Sequence, residues 1–84
     1  GDDSLSGGDY ADFISDDLGA DTLLGGDGDD TLTSGAGNDS ILAGDDDDSI
    51  SAGDGNDSVR GEDGNDIIDA GEGANTVDGG TGED

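Results

Sequence analysis

Gly25-Gly26-Asp27-Gly28-Asp29-Asp30-Thr31-Leu32-Thr33 is the cleanest copy of a unit that runs the length of this chain. It reads as a glycine-rich turn of six residues followed by a three-residue strand centred on one aliphatic side chain. Its sixth residue, Asp30, lies on a nine-residue ruler with Asp3, Asp12, Asp21, Asp39, Asp48, Asp57, Asp66 and Asp84, and the remaining mark is Asn75. Two residues after the marks stand Leu5, Ile14, Leu23, Leu32, Ile41, Ile50, Val59, Ile68 and Val77. Two residues before them is Gly, except at Tyr10 and Asp46. Such strands are too short for a hairpin sheet, and no helical apolar period competes with them. Short strands separated by glycine turns at constant spacing predict a solenoid whose strands stack in parallel from coil to coil. A carboxylate in fixed register with one aliphatic predicts cations along the edges of that coil.

Full copies of the unit start at Gly7, Asp16, Gly25, Ser34, Ala43, Ala52, Gly61 and Ala70, with partial copies at 1–6 and 79–84. There is no Pro, no linker and no shift of composition, so residues 1–84 read as a single array. Neither end shows an amphipathic helix or a polar capping repeat, which exposed solenoid ends usually need, and the chain reads as a segment of a longer array.

Composition bounds the function from the other side. Twenty-five acidic groups face one basic group, Arg60, for a formal charge of −24. Leu, Ile, Val and Phe make 14 of 84 residues, about 17%, which is the range of chains that stay disordered at high net charge. The bare chain should therefore not fold alone. Zero Cys excludes a disulfide framework and thiol chemistry, and zero His removes the usual general base and transition-metal ligand. Serine beside the aliphatics has no His or Lys to activate it, so no enzyme activity is expected. The charge repels nucleic acid and anionic lipid, and no apolar run is long enough for membrane insertion. The natural partners of this surface are cations.

The pattern G-G-x-G-x-D-x-U-x resembles the RTX nonapeptide, the hemolysin-type calcium-binding repeat, over the whole chain. The resemblance implies an all-β parallel β-roll, with two nonapeptides in each 18-residue coil and calcium between turns one coil apart. One ladder of metal-binding side chains would be Asp3, Asp21, Asp39, Asp57 and Asn75, and the other Asp12, Asp30, Asp48, Asp66 and Asp84. The family pattern would add backbone carbonyls from the turns, here Gly25, Gly26, Asp27, Gly28, Gly35, Gly37, Gly44, Gly53, Gly55, Gly64, Gly71 and Gly73.

Elementary physics agrees. Stacked strands lie about 4.8 Å apart. Two carboxylates at that distance repel by roughly 3–4 kcal/mol at an effective dielectric of 20, and a divalent ion between them reverses the sign. Ca²⁺ accepts about six to eight oxygens in flexible geometry, whereas Mg²⁺ demands a tighter octahedron and gives up water reluctantly. Four neighbouring pairs on each ladder give about eight Ca²⁺ sites, whose +16 would leave −8 on the filled coil. Asn75 keeps an oxygen but loses the charge, so its site with Asp57 should be weaker. Tyr10, Asp46, Glu62 and the pair Asp16-Asp17 replace turn glycines. The acids off the ruler, Asp29 among them, read as solvated surface, and Asn38 and Asn56 as turn residues.

The expected function is that of a calcium-binding repeat module of a secreted bacterial RTX-type protein. It would fold on extracellular Ca²⁺ and serve export and structural stabilisation. Its place would be extracellular or at the cell surface, attached to neighbouring repeats of a longer array. The rival reading makes the array itself the product, as a calcium-dependent fibre, adhesin extender or surface-layer segment held by self-association through residues such as Leu24 and Leu42. With a single Thr-x-Thr, an ice-binding face is the weakest alternative.

Overall fold

In an extended segment alternate side chains point to opposite faces, so each Ser/Thr-flanked aliphatic turns inward while its neighbours turn to solvent. The computed structural model, which describes residues 1–84, repeats this nine times. Strands β1 (Ser4–Asp9), β3 (Thr22–Asp27), β5 (Ser40–Asp45), β7 (Ser58–Asp63) and β9 (Thr76–Asp78) form one parallel sheet in that order. Strands β2 (Phe13–Ser15), β4 (Thr31–Thr33), β6 (Ser49–Ser51) and β8 (Ile67–Asp69) form the other. Every pair is in register with the residue 18 positions on, as in Leu23 with Ile41 and Leu32 with Ile50. The protein is an all-β parallel β-roll with two nonapeptides in each coil.

Between the sheets lies a single layer of side chains. Ile14, Leu23, Leu32, Ile41, Ile50 and Val59 are buried there together with Ala43 and Ala52. Leu5 and Ile68 are partly buried against this cluster, and Val77 is 47% exposed. The reason is geometric: a coil is covered by the coils above and below, and aliphatics near the ends have cover on one side. Ala43, Ala52 and Ser34 occupy the first position of the unit, which the sequence pattern did not mark as interior. It faces inward, and in the inner coils it is filled by small residues, Gly25, Ser34, Ala43, Ala52 and Gly61.

The strands differ from expectation in length. In the first sheet β1, β3, β5 and β7 run for six residues, through glycines assigned to turns, whereas the second sheet keeps three-residue strands. In the second sheet pairing resumes as single bridges along Leu18, Ala36, Asp54 and Glu72. Parallel stacking sets each backbone group opposite its counterpart one coil away, so a turn can pair as well as a strand. At the fourth position of the unit the approach is so close that a Cβ on Gly37 would collide with the Gly19 carbonyl, and one on Gly55 with that of Gly37. Tyr10, Asp46 and Glu62 adopt the left-handed backbone that glycine adopts elsewhere, with φ of 77°, 85° and 84°.

The outer faces are polar with scattered apolar residues. Leu24 and Leu42 stack in register and are followed by Arg60 and Asp78. Phe13 and Ile67 are exposed on the other sheet, separated in register by Thr31 and Ser49.

Candidate metal centre

The ruler residue sits at the junction of turn and strand, where its side chain turns back under the coil. Asp21, Asp30, Asp39, Asp48, Asp57 and Asp66 are all buried, at 1–2% exposure. One oxygen of each is occupied. Oδ1 accepts the backbone N–H of the ruler residue one coil earlier, as in Asp3 to Asp21 at 2.7 Å, Asp30 to Asp48 at 2.7 Å and Asp39 to Asp57 at 2.9 Å. The same register continues to Asn75 and Asp84, which accept from Asp57 and Asp66.

The other oxygen is not occupied by protein. Oδ2 of Asp12, Asp21, Asp30, Asp39, Asp48, Asp57 and Asp66 is buried without a hydrogen-bond partner. A buried carboxylate oxygen without a donor costs several kcal/mol, so it calls for a cation or a proton. Asn75 shows what such an oxygen faces. Its amide Nδ2 takes the corresponding place and donates to the Ala70 carbonyl at 2.8 Å. Where the residue is Asp, a carboxylate oxygen replaces that donor. Acceptor then faces acceptor, and a cation is what can bridge them.

The first position of the unit lies against this Oδ2 oxygen in the turns that carry glycine there. A Cβ on Gly25 would stand 2.5 Å from Asp30 Oδ2, and one on Gly7 equally close to Asp12 Oδ2. More oxygen is offered by the fourth position, since no hydrogen bond reaches the carbonyls of Gly28, Gly37, Gly55, Gly64 or Gly73. The carbonyls of Gly35 and Gly53 accept the N–H groups of Asp54 and Glu72, and Gly25, Gly26, Asp27 and Gly44 lie within β3 and β5. Gly71 stands in the turn before Asn75. The donors are all oxygen, with no nitrogen or sulfur, which suits a hard cation of calcium's kind.

Electrostatic stress is visible on one ladder. Burial pushes the Asp48 carboxyl up to about 6, against the lowering effect of the Asp30 N–H and with reinforcement from the charges of Asp30, Asp66 and Asp29. Burial also raises Asp30, which feels Asp12, Asp29 and Asp46, and Asp66, which feels Asp84 and Asp47. Desolvation and like charge thus both oppose ionisation in a coil without cations.

A family model for the RTX calcium-binding nonapeptide repeat matches residues 1–32, 24–59 and 51–84, which together span the whole chain. The chain belongs to this family. No curated protein and no solved structure matches it. Membership makes it a calcium-binding repeat module on a structural β-roll. No helix is long and apolar enough to cross a membrane.

The RTX array also holds polar columns that sequence reasoning missed. At the fifth position of the unit, side-chain oxygens accept the N–H one coil later: Asp29 from Asp47, Asp47 from Asn65, Asn65 from Glu83, Asn38 from Asn56 and Asn56 from Ala74. Asp29, read as merely solvated, is therefore part of a hydrogen-bonded column. The signal was present in the recurrence of Asp and Asn immediately before the ruler. Ser34 is fully buried and its Oγ donates to the Ala52 carbonyl at 2.7 Å. Asp16, at the first position of its unit, comes together with Asp3 and Asp21, each offering an oxygen within 4.8 Å of the others.

Proposed function

We propose that this chain is a calcium-driven folding segment of a secreted bacterial RTX-type protein, without catalysis of its own. The ligands are the two side-chain ladders, Asp3 to Asn75 and Asp12 to Asp84, completed by turn carbonyls such as those of Gly28, Gly37, Gly55 and Gly64. The observation that carries this reading is the set of seven buried carboxylate oxygens without partners, three on the first ladder and four on the second. No protein group satisfies them. Where calcium is scarce the like charges keep the chain open and fit for export. In millimolar extracellular calcium the ladders fill, and the free energy of binding becomes the free energy of folding.

Far-UV circular dichroism tests this directly. At neutral pH the chain should be coil in chelator and β-rich in millimolar Ca²⁺, with Mg²⁺ unable to substitute. A chain already β-rich in chelator at neutral pH would show that the fold does not depend on metal.

A further inference from the structure

Asp16 occupies the first position of its unit, the position whose Cβ points at the free oxygen of the ruler residue in the glycine-bearing turns. The corresponding residues in the following coils of the same edge are Ser34, Ala52 and Ala70, so Asp16 is the one acidic side chain there. Its oxygen lies within 4.8 Å of oxygens from Asp3 and Asp21. Asp21 is 1% exposed, its Oδ1 is held by the Asp3 N–H at 2.7 Å, and its Oδ2 has no partner. Asp16 spends its own Oδ1 on the Asp17 N–H at 2.8 Å, which fixes the turn and leaves the second oxygen free.

We propose that Asp3, Asp16 and Asp21 form a three-carboxylate site for hard, oxygen-seeking cations, the tightest in this array and the one that most favours trivalent over divalent ions. The proposal rests on the reading of the ruler residues as calcium ligands and adds a ligand outside the repeat pattern. Affinity in oxygen-ligand sites follows the number of charged ligands. The other stacked ruler pairs bring two carboxylates, or one at Asp57 and Asn75. This site brings three, and the third charge favours an ion of charge three more than one of charge two, because the attraction scales with the product of charges.

Two probes, Ca²⁺ and La³⁺, decide it. Each is titrated into the 84-residue chain and followed by calorimetry, with the amide NMR signals of residues 16–21 reporting occupancy. Asp16→Asn preserves an oxygen for the Asp17 N–H and removes only the charge. Asp16→Ser copies the residue that the fold accommodates at position 34. Asp54→Asn makes the same charge change at an exposed position away from the ladders. The first La³⁺ bound should shift the signals of residues 16–21 in the unmodified chain. Both Asp16 variants should weaken the tightest Ca²⁺ site roughly tenfold or more, and La³⁺ several-fold further. Asp54→Asn should change either by less than about twofold, as expected of an exposed and screened charge. If the Asp16 variants match Asp54→Asn for both ions while calcium still folds the array, the three-carboxylate site is wrong and the ladder reading stands. If calcium induces no β structure in the unmodified chain, the ladder reading fails and takes this site with it.

Discussion

Replacing Asn75 by Asp should turn a self-satisfied contact into a metal-dependent one. Asn75 accepts the Asp57 N–H at 2.8 Å through Oδ1 and donates to the Ala70 carbonyl at 2.8 Å through Nδ2. A carboxylate keeps the first bond and loses the second, leaving two oxygens face to face. In chelator, the lost bond and the unsatisfied acceptors cost about 1–3 kcal/mol. Repulsion from Asp57 at coil spacing adds at most about 3–4 kcal/mol at an effective dielectric of 20, less where solvent screens the half-buried Asn75. With calcium present the added charge gains a cation partner, and the midpoint of the calcium titration should fall. Far-UV circular dichroism of both chains against calcium concentration reads both effects. The Asp variant should be less ordered in chelator and should fold at lower calcium. An unchanged or raised midpoint would mean that residue 75 does not face a metal.

Asp39→Ala should raise the calcium midpoint more than Asp29→Ala, because Asp39 is buried between the coils of Asp21 and Asp57 while Asp29 makes one exposed hydrogen bond. Equal shifts would show that the ruler is not the ligand set. The Asp48 carboxyl, raised to about 6 from 3.8, binds its proton more tightly in the coil than in the open chain. Its contribution to the stability of the calcium-free coil is therefore lost as pH rises from about 4 through about 6. In chelator, β structure should be greater at pH 5 than at pH 7, and in limiting calcium acidification should release the ion; no gain in chelator would refute the sign. Tyr10→Gly should lower the calcium midpoint modestly, since Tyr10 is 85% exposed at φ 77° and relief of that backbone gives about 1 kcal/mol. A higher midpoint would show that the ring makes contacts worth more than the strain.

What was legible in the sequence is what recurs as residue identity. Asp at the sixth position and an aliphatic at the eighth gave the coil, the two parallel sheets and the candidate ladders, with the pairing of nonapeptides coming from family resemblance. What was not legible is what recurs only as a relation between coils. Gly25, Ser34, Ala43, Ala52 and Gly61 share no side-chain chemistry, yet all are buried at the first position. Small volume unites them, and composition does not encode it. Asn38 and Asn56 are good turn residues in isolation, and their hydrogen-bonded column exists only once coils are stacked. Asp16 looked like a defect in a glycine turn, because a linear pattern cannot show that the first-position Cβ points at the ruler oxygen of the same unit.

The contrast between the fifth and sixth positions explains why the array keeps aspartate where repulsion is worst. At the fifth position the side chain has one task, to accept an N–H from the next coil, and Asn performs it at Asn38, Asn56 and Asn65 without charge. At the sixth position the first oxygen does similar work, and the second atom decides what the coil becomes. An amide donates to the turn carbonyl and closes the coil by itself, as Asn75 does with Ala70. A carboxylate cannot, and it leaves the coil unsatisfied until a cation or a proton arrives. A ladder of Asn would fold without regard to its surroundings. On the proposed reading a ladder of Asp makes folding conditional on calcium, with repulsion between its members as the physical source of that condition.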